Sequence, residues 1–290
     1  MDIFQRFVTQ DALTGMPIYF IAAAVAVLGA IIGSFLNVVI HRVPRDESIA
    51  FPASHCPSCD AAIRPYDNIP VISWAVLRGR CRACRAPISA RYPGVELLTA
   101  ALFVLTYLLH SGLTLSLPFD LVFVAALVAL VFIDAEHQIL PNVITYPGAV
   151  FALLARALVP NLYGVASLGS NYPQLSPWLL SLVGALLGAL VGGGFLWLVS
   201  WLWLVLRKEE GMGLGDVKMM LMVGAFLGWP LTFLAIFIGV LSGSVIGLSL
   251  IAVGKGSLKS QLPFGVYLGL GSFISLLFGT SIIDWYVGKF

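Results

Sequence analysis

Two aspartates stand where a carboxylate is costly. Asp134 closes the apolar run Val131-Phe132-Ile133 and is followed by Ala-Glu136-His137-Gln-Ile-Leu-Pro141, while Asp216 lies in Gly211-Met-Gly213-Leu-Gly215-Asp216-Val-Lys218. Acidic residues inside apolar helices are expensive and by default mark function. Separated by 82 positions, the two can still meet at one site. Two carboxylates roughly 3 Å apart cannot both ionise, so they share one proton. The ionised member can take a proton from water while its neighbour protonates a peptide carbonyl, and the pair titrates as a unit. Glycines ahead of Asp216 leave room for close approach of backbone or substrate. The plainer alternative is that each carboxylate caps a helix or pairs with a nearby base, Lys218 in the case of Asp216. The G-x-G-D setting favours the chemical reading.

Four cysteines form the second constellation. Cys56-Pro-Ser-Cys59 and Cys81-Arg-Ala-Cys84 are separated by 21 residues. Two C-x-x-C pairs at this distance read as a four-thiolate tetrahedral zinc site of zinc-ribbon type. Disulfides or redox thiols are the alternatives, and a reducing compartment disfavours the first. The host segment, about fifty polar residues over 43–93, is too short to build a sufficient core unaided, and a metal staple is a common remedy. Its arginines offset the thiolate charge and suit an anionic lipid leaflet.

The elements that must position these groups are membrane helices. The chain has 290 residues, 59% hydrophobic and 10% charged, with a mean hydropathy of +0.97. Soluble domains carry about 25% charged residues. The fold class expected is an all-α polytopic bundle in a lipid bilayer, with a small zinc-ribbon-like insert. Apolar runs of roughly the 20 residues a span needs suggest about eight helices: 17–42, 94–111, 118–136, 141–159, 178–206, 217–229, 230–253 and 263–285. The sixth is short, and its boundary with the seventh at Trp229–Pro230 is the weakest. The first run, from Ile18 to Ile40, exceeds the roughly 7–15 residues of a signal h-region, so no cleavable signal is expected. The expected organisation is 1–42 as N-terminal segment and first helix, 43–93 as insert, and 94–290 as membrane core.

Eight spans would put both termini on one face. Starting outside, the inner segments 42–93, 207–218 and 254–261 hold 13 of the 16 basic residues. Arg6, Arg156 and Lys289 are left for the outer segments and helix ends. This bias follows the positive-inside rule and places the insert and both aspartates at the cytoplasmic face. A net charge of +2 gives no case for a nucleic-acid partner. Gly184, Gly188 and Gly192 repeat at helical spacing, as do Gly243–Gly247 and Gly265–Gly269, which predicts close helix packing. Asn37 is expected to make an interhelical hydrogen bond, Glu96 to line the site at the mouth of the second helix, and Glu136 and His137 to face the aqueous interface.

Taken together, several stretches resemble the bacterial type IV prepilin peptidases: Gly33-Ser-Phe-Leu-Asn-Val-Val, the four-cysteine insert with Asn68-Ile-Pro, Arg91-Tyr-Pro-Gly-Val-Glu96, Ile133-Asp134 through Leu140-Pro141, Gly213-Leu-Gly215-Asp216-Val-Lys218, and Pro263-Phe-Gly265. The resemblance covers nearly the whole chain in order. It implies an inner-membrane aspartic endopeptidase that also acts as an N-methyltransferase, with Asp134 and Asp216 catalytic and Cys56, Cys59, Cys81 and Cys84 holding zinc. Gly213, Gly215 and Lys218 would lie beside the dyad. Glu136 and Asn142 stand where many members have aspartates, which spares the dyad. The implied substrates are type IV prepilins and type II secretion pseudopilins, cut after a glycine just before their hydrophobic segment. The implied methyl donor is S-adenosylmethionine, although no G-x-G-x-x-G follows a strand and no donor site is legible. Relatives without the insert act as peptidases only, which points to 43–93 for methylation. A proton-relay transporter and a structural subunit of a secretion machine are the rival classes. Neither accounts for the cysteines or the G-x-G-D glycines.

Overall fold

The computed structural model describes residues 11, 14–109, 112–160, 174–209, 212–254 and 262–289. Among these residues the structure is helical, with no strand beyond two isolated bridges at His55–Ala62 and Arg80–Pro87. The helices are α1 (Ile18–Arg42), α2 (Ile72–Val76), α3 (Arg91–Leu109), α4 (Leu117–His137), α5 (Asn142–Leu158), α6 (Pro177–Ala189), α7 (Phe195–Arg207), α8 (Leu214–Leu227), α9 (Trp229–Ala252) and α10 (Phe264–Val287). Lys255 and Lys259, used above for orientation, lie outside the described residues, as do Arg6 and Gly211.

Among the described residues, six helical stretches are long and apolar enough to cross a bilayer: Ile18–Arg45, Arg91–Leu109, Leu117–His137, Pro177–Arg207, Trp229–Ala252 and Phe264–Val287. The count of about eight is not confirmed by these lengths. Helix α5 has 17 residues and α8 has 14. At about 1.5 Å per residue α5 lies at the lower end of the roughly 17–25 residues of a crossing helix, and α8 lies below it. The boundary at Trp229–Pro230 is nonetheless close to the structure, because Gly228 at φ +78° ends α8 and α9 starts at Trp229. Such a φ favours glycine, which has no Cβ to clash.

The chain forms two compact units, Met1–Ala129 and Leu130–Phe290, and α4 runs from the first into the second. In the first unit α1 and α3 pack antiparallel. A methyl group on Gly29 would lie 2.7 Å from Ala100 Cα, and one on Gly33 2.7 Å from Glu96 Cα. This pair is a further G-x-x-x-G that lets two backbones touch. One turn on, Asn37 Nδ2 donates to Gly33 O at 3.3 Å and across the helices to Tyr92 O at 3.0 Å. The expected interhelical bond is there.

The second unit is built around α8. Met219, Met220, Val223, Phe226 and Leu227 of that helix are fully enclosed, with α5, α6, α9 and α10 around them. Gly188 and Gly224 meet so closely that a methyl on either would stand 2.0 Å from the other's carbonyl oxygen. Gly192 packs likewise on Met220 O, at 2.0 Å. The run expected at 178–206 is one helical stretch interrupted by a π-turn, Leu190–Gly194. The extra residue of the π-turn, in a Leu-Val-Gly-Gly-Gly sequence, sets Gly192 and Gly193 against α8. Between α9 and α10 the closest approach is at Gly271, where a methyl would lie 2.2 Å from Ala235 O, rather than at the looser Gly243. Arg156, expected at an outer helix end, is fully buried in the last turn of α5. Trp197, Trp201 and Trp203 of α7 point outward with many leucines, a surface suited to lipid rather than water.

Candidate active site and metal centre

The insert holds two copies of one turn. Cys56 N–H donates to Ala61 O and Cys81 N–H to Ala86 O, while the N–H of Asp60 and of Arg85 returns to Cys56 O and Cys81 O. Asp60 and Arg85 both have positive φ, 55° and 62°. Each C-x-x-C is thus a knuckle closed by a left-handed residue, and the two are related by 25 positions throughout. Their sulfurs converge: the four Sγ atoms lie within 4.8 Å of one another, and Cys56 Sγ is 3.8 Å from Cys84 Sγ. Thiolates about 2.3 Å from a tetrahedral zinc stand about 3.8 Å apart, so the cluster fits that ion. Backbone N–H groups of Cys84 and Ala83 pull the Cys81 thiol down to about 7, which favours the thiolate a metal needs. The cysteines are free thiols and not disulfides. Beside them Arg82 holds Asp67 in a 2.6 Å ion pair.

The second cluster lies at the ends of three helices in the second unit. Asp134 is in the last turn of α4, 5% exposed, and Asp216 in the first turn of α8, 8% exposed. Asp134 Oδ2 accepts the Val266 N–H at 3.1 Å, and the Gly265 N–H also faces it. These are among the free donors of the first turn of α10, whose cap is Pro263 and offers no side-chain acceptor. A carboxylate from another helix therefore does the capping. Asp216 sits on its own helix N-terminus, where the dipole favours an acid. It is not the cap, which is Gly213.

Leu140 lies against the glycines that neighbour the two aspartates in the fold. A methyl on Gly265 would lie 2.8 Å from Asp134 Oδ2 and 3.1 Å from Leu140 Cδ1, and one on Gly215 would lie 3.0 Å from Leu140 Cβ. Glycine at both positions is what lets α8 and α10 close on Leu140, with Asp134 on the Gly265 side, and Asp216 feels the charge of Asp134. Gly213 is less crowded, with Asp216 Oδ2 3.7 Å from its Cβ position.

Lys218 does not pair with Asp216. Its Nζ donates to Asn142 Oδ1 at 3.0 Å and lies 5.4 Å from the centre of the Tyr146 ring. Glu96 belongs to the first unit, where it is buried and Oε2 accepts the Val71 N–H at 2.7 Å. Glu136 is exposed, as expected. The main-chain donors of Gly265 and Val266 were missed by sequence reasoning. The one available signal was a Pro-Phe-Gly helix start, which leaves first-turn N–H groups open.

Two family descriptions match the chain: "Bacterial Peptidase A24 N-terminal domain" over residues 27–110 and "Type IV leader peptidase family" over 121–248. Curated relatives named prepilin leader peptidase/N-methyltransferase align over nearly the full length. One from Stutzerimonas stutzeri is 37% identical over 96% of this chain and 97% of its own. One from Aeromonas hydrophila is 38% identical over 95% and 97%, and one from Pseudomonas aeruginosa 34% over 96% and 97%. The chain belongs to the type IV leader peptidase family. No solved structure matches it. The family's N-terminal description covers the cysteine knuckles and α3, and its peptidase description covers both aspartates. The Gly265–Val266 donors lie beyond the second match.

Proposed function

We propose that this multi-pass membrane enzyme removes the short basic leader of type IV prepilins and type II secretion pseudopilins and then methylates the new N-terminus. The observation that carries the peptidase half is that Asp134 and Asp216, near enough for one to feel the other's charge, both lie at helix N-termini. With an N–H bond from Val266, Asp134 is suited to act as the carboxylate that takes a proton from water. Asp216 then holds the proton given to the scissile carbonyl. Collapse of the tetrahedral intermediate breaks the C–N bond, and the leaving amine takes up a proton from the dyad. Burial of both acids limits competing water and strengthens each interaction.

With α5 and α8 taken as short crossings, the basic bias of the loops supports a cytoplasmic site in the inner membrane and both termini periplasmic. The cut would fall after glycine, where a basic leader meets a hydrophobic segment. We assign proteolysis to 94–290 and methylation to 43–93, with zinc on Cys56, Cys59, Cys81 and Cys84 as a structural ion. S-adenosylmethionine, when bound, supplies an electrophilic methyl group for the freed amine. Incubating the purified enzyme with a purified prepilin and S-adenosylmethionine tests this. Mass spectrometry should show leader loss followed by one methyl addition, and an intact prepilin after prolonged incubation would refute it.

A further inference from the structure

The first unit contains a cavity of about 1150 Å³ that the peptidase chemistry does not use. Its walls come from the last turns of α1, the first turn of α3 and the inner side of the insert. Small-molecule sites run to roughly 300–1,000 Å³, so a nucleoside-sized ligand fits with space left for a second group.

Two features mark a built site and not a packing gap. Asn37 lines the cavity, is 3% exposed, and its Oδ1 has no hydrogen-bond partner among the described residues. The two carbonyls of Gly33 and Tyr92 fix the amide so that Nδ2 faces them, which settles which atom is left over. A buried acceptor without a partner is costly, and a ligand donor would satisfy it. The second feature is Val71, a cavity residue at φ +62°. A β-branched residue there is strained, and the N–H bond to Glu96 Oε2 holds it. Such strain collects at ligand clamps. Trp74 stands at the same wall, fixed by its Nε1 bond to Ile88 O at 3.1 Å and by Gly79 beneath the ring.

We propose that this cavity is the S-adenosylmethionine site, with Asn37 and Glu96 as orienting polar groups and Trp74 as an aromatic wall. The assignment rests on the methyltransferase reading above. A flat base, N–H and O–H donors and a positive charge match an aromatic face, an orphan amide oxygen and a buried carboxylate. The zinc knuckles support the wall, since Cys56 and Cys81 border the same space.

The test is isothermal titration of S-adenosylmethionine into the full-length zinc-loaded enzyme. Wild type should bind about one equivalent. Asn37→Leu should weaken binding by at least about tenfold, the scale of one buried hydrogen bond. Since that change also removes the bonds to Gly33 and Tyr92, Ser34→Trp serves as the second variant. It projects bulk from the α1 wall without touching those bonds and should abolish binding. Retained zinc content and thermal midpoint confirm folding of each. If wild type binds the donor and methylates a precut pilin peptide, yet both variants bind equally well, the donor docks elsewhere and the cavity assignment is wrong. If wild type shows neither donor binding nor methylation, the methyltransferase reading itself falls and takes the site with it.

Discussion

Gly265→Ala probes the dyad through a single methyl group. That methyl would stand 2.8 Å from Asp134 Oδ2 and 3.0 Å from its Cγ, about 0.6 Å short of ordinary contact at 3.4 Å. The far side is closed as well, since Leu140 Cδ1 is 3.1 Å away. Asp134 is a short side chain tethered by the Val266 N–H, so it must swing off that bond to yield. Catalytic groups need to be held within about 0.5 Å, and a misplacement of 1 Å can cost roughly 10²-fold. We expect kcat for leader cleavage to fall about 10- to 100-fold. Stability should hold, because alanine in a helix is favoured over glycine by roughly 0.5–1 kcal/mol. Gly213→Ala should cost much less, with 3.7 Å of clearance. The assay is timed cleavage of a purified prepilin, with thermal unfolding as control. Turnover of Gly265→Ala within twofold of wild type would refute the reasoning.

Freshly purified protein should contain about one zinc per chain with sulfur ligands near ~2.3 Å by X-ray absorption, and Cys56→Ser should lower that content; zinc-free protein with disulfides would contradict it. Gly224→Ala places a methyl 2.0 Å from Gly188 O and should destabilise the second unit by about 1–3 kcal/mol or prevent folding, read as a lower thermal midpoint. Asp216→Asn should still methylate a pilin peptide supplied already cut, scored by mass spectrometry, and loss of both activities would point to one shared site.

Much of the site was written in short-range pattern. The knuckles follow from two C-x-x-C pairs because each turn closes on its own backbone, and Pro141 marked the start of α5 because proline suits a helix start. Hydropathy registers only how apolar a run is. It therefore could not tell a full-length span from α8, which is apolar because neighbouring helices enclose it. The π-turn was hidden for a related reason, since Leu190–Gly194 reads as more of the same helix. Gly29 and Gly33 carry the tightest α1–α3 contact, yet their spacing is no different from that of Gly243 and Gly247, which pack loosely. Partner identity decides between them. The Val266 N–H has no sequence signature at all, because every residue except proline carries one. Asp134 and Asp216 were legible as costly acids, and the packing of Gly215 and Gly265 on Leu140 beside them came only from the fold.

The central claim is that Asp134 and Asp216 together perform the cleavage. Its most direct test is cleavage of one purified prepilin by wild type, Asp134→Asn and Asp216→Asn, each checked for folding. Asparagine keeps an acceptor for the Val266 N–H, so the first variant should fold. General acid–base groups are worth roughly 10²–10⁴-fold, and each variant should lose at least that much activity. Near-normal cleavage by either one would contradict the account.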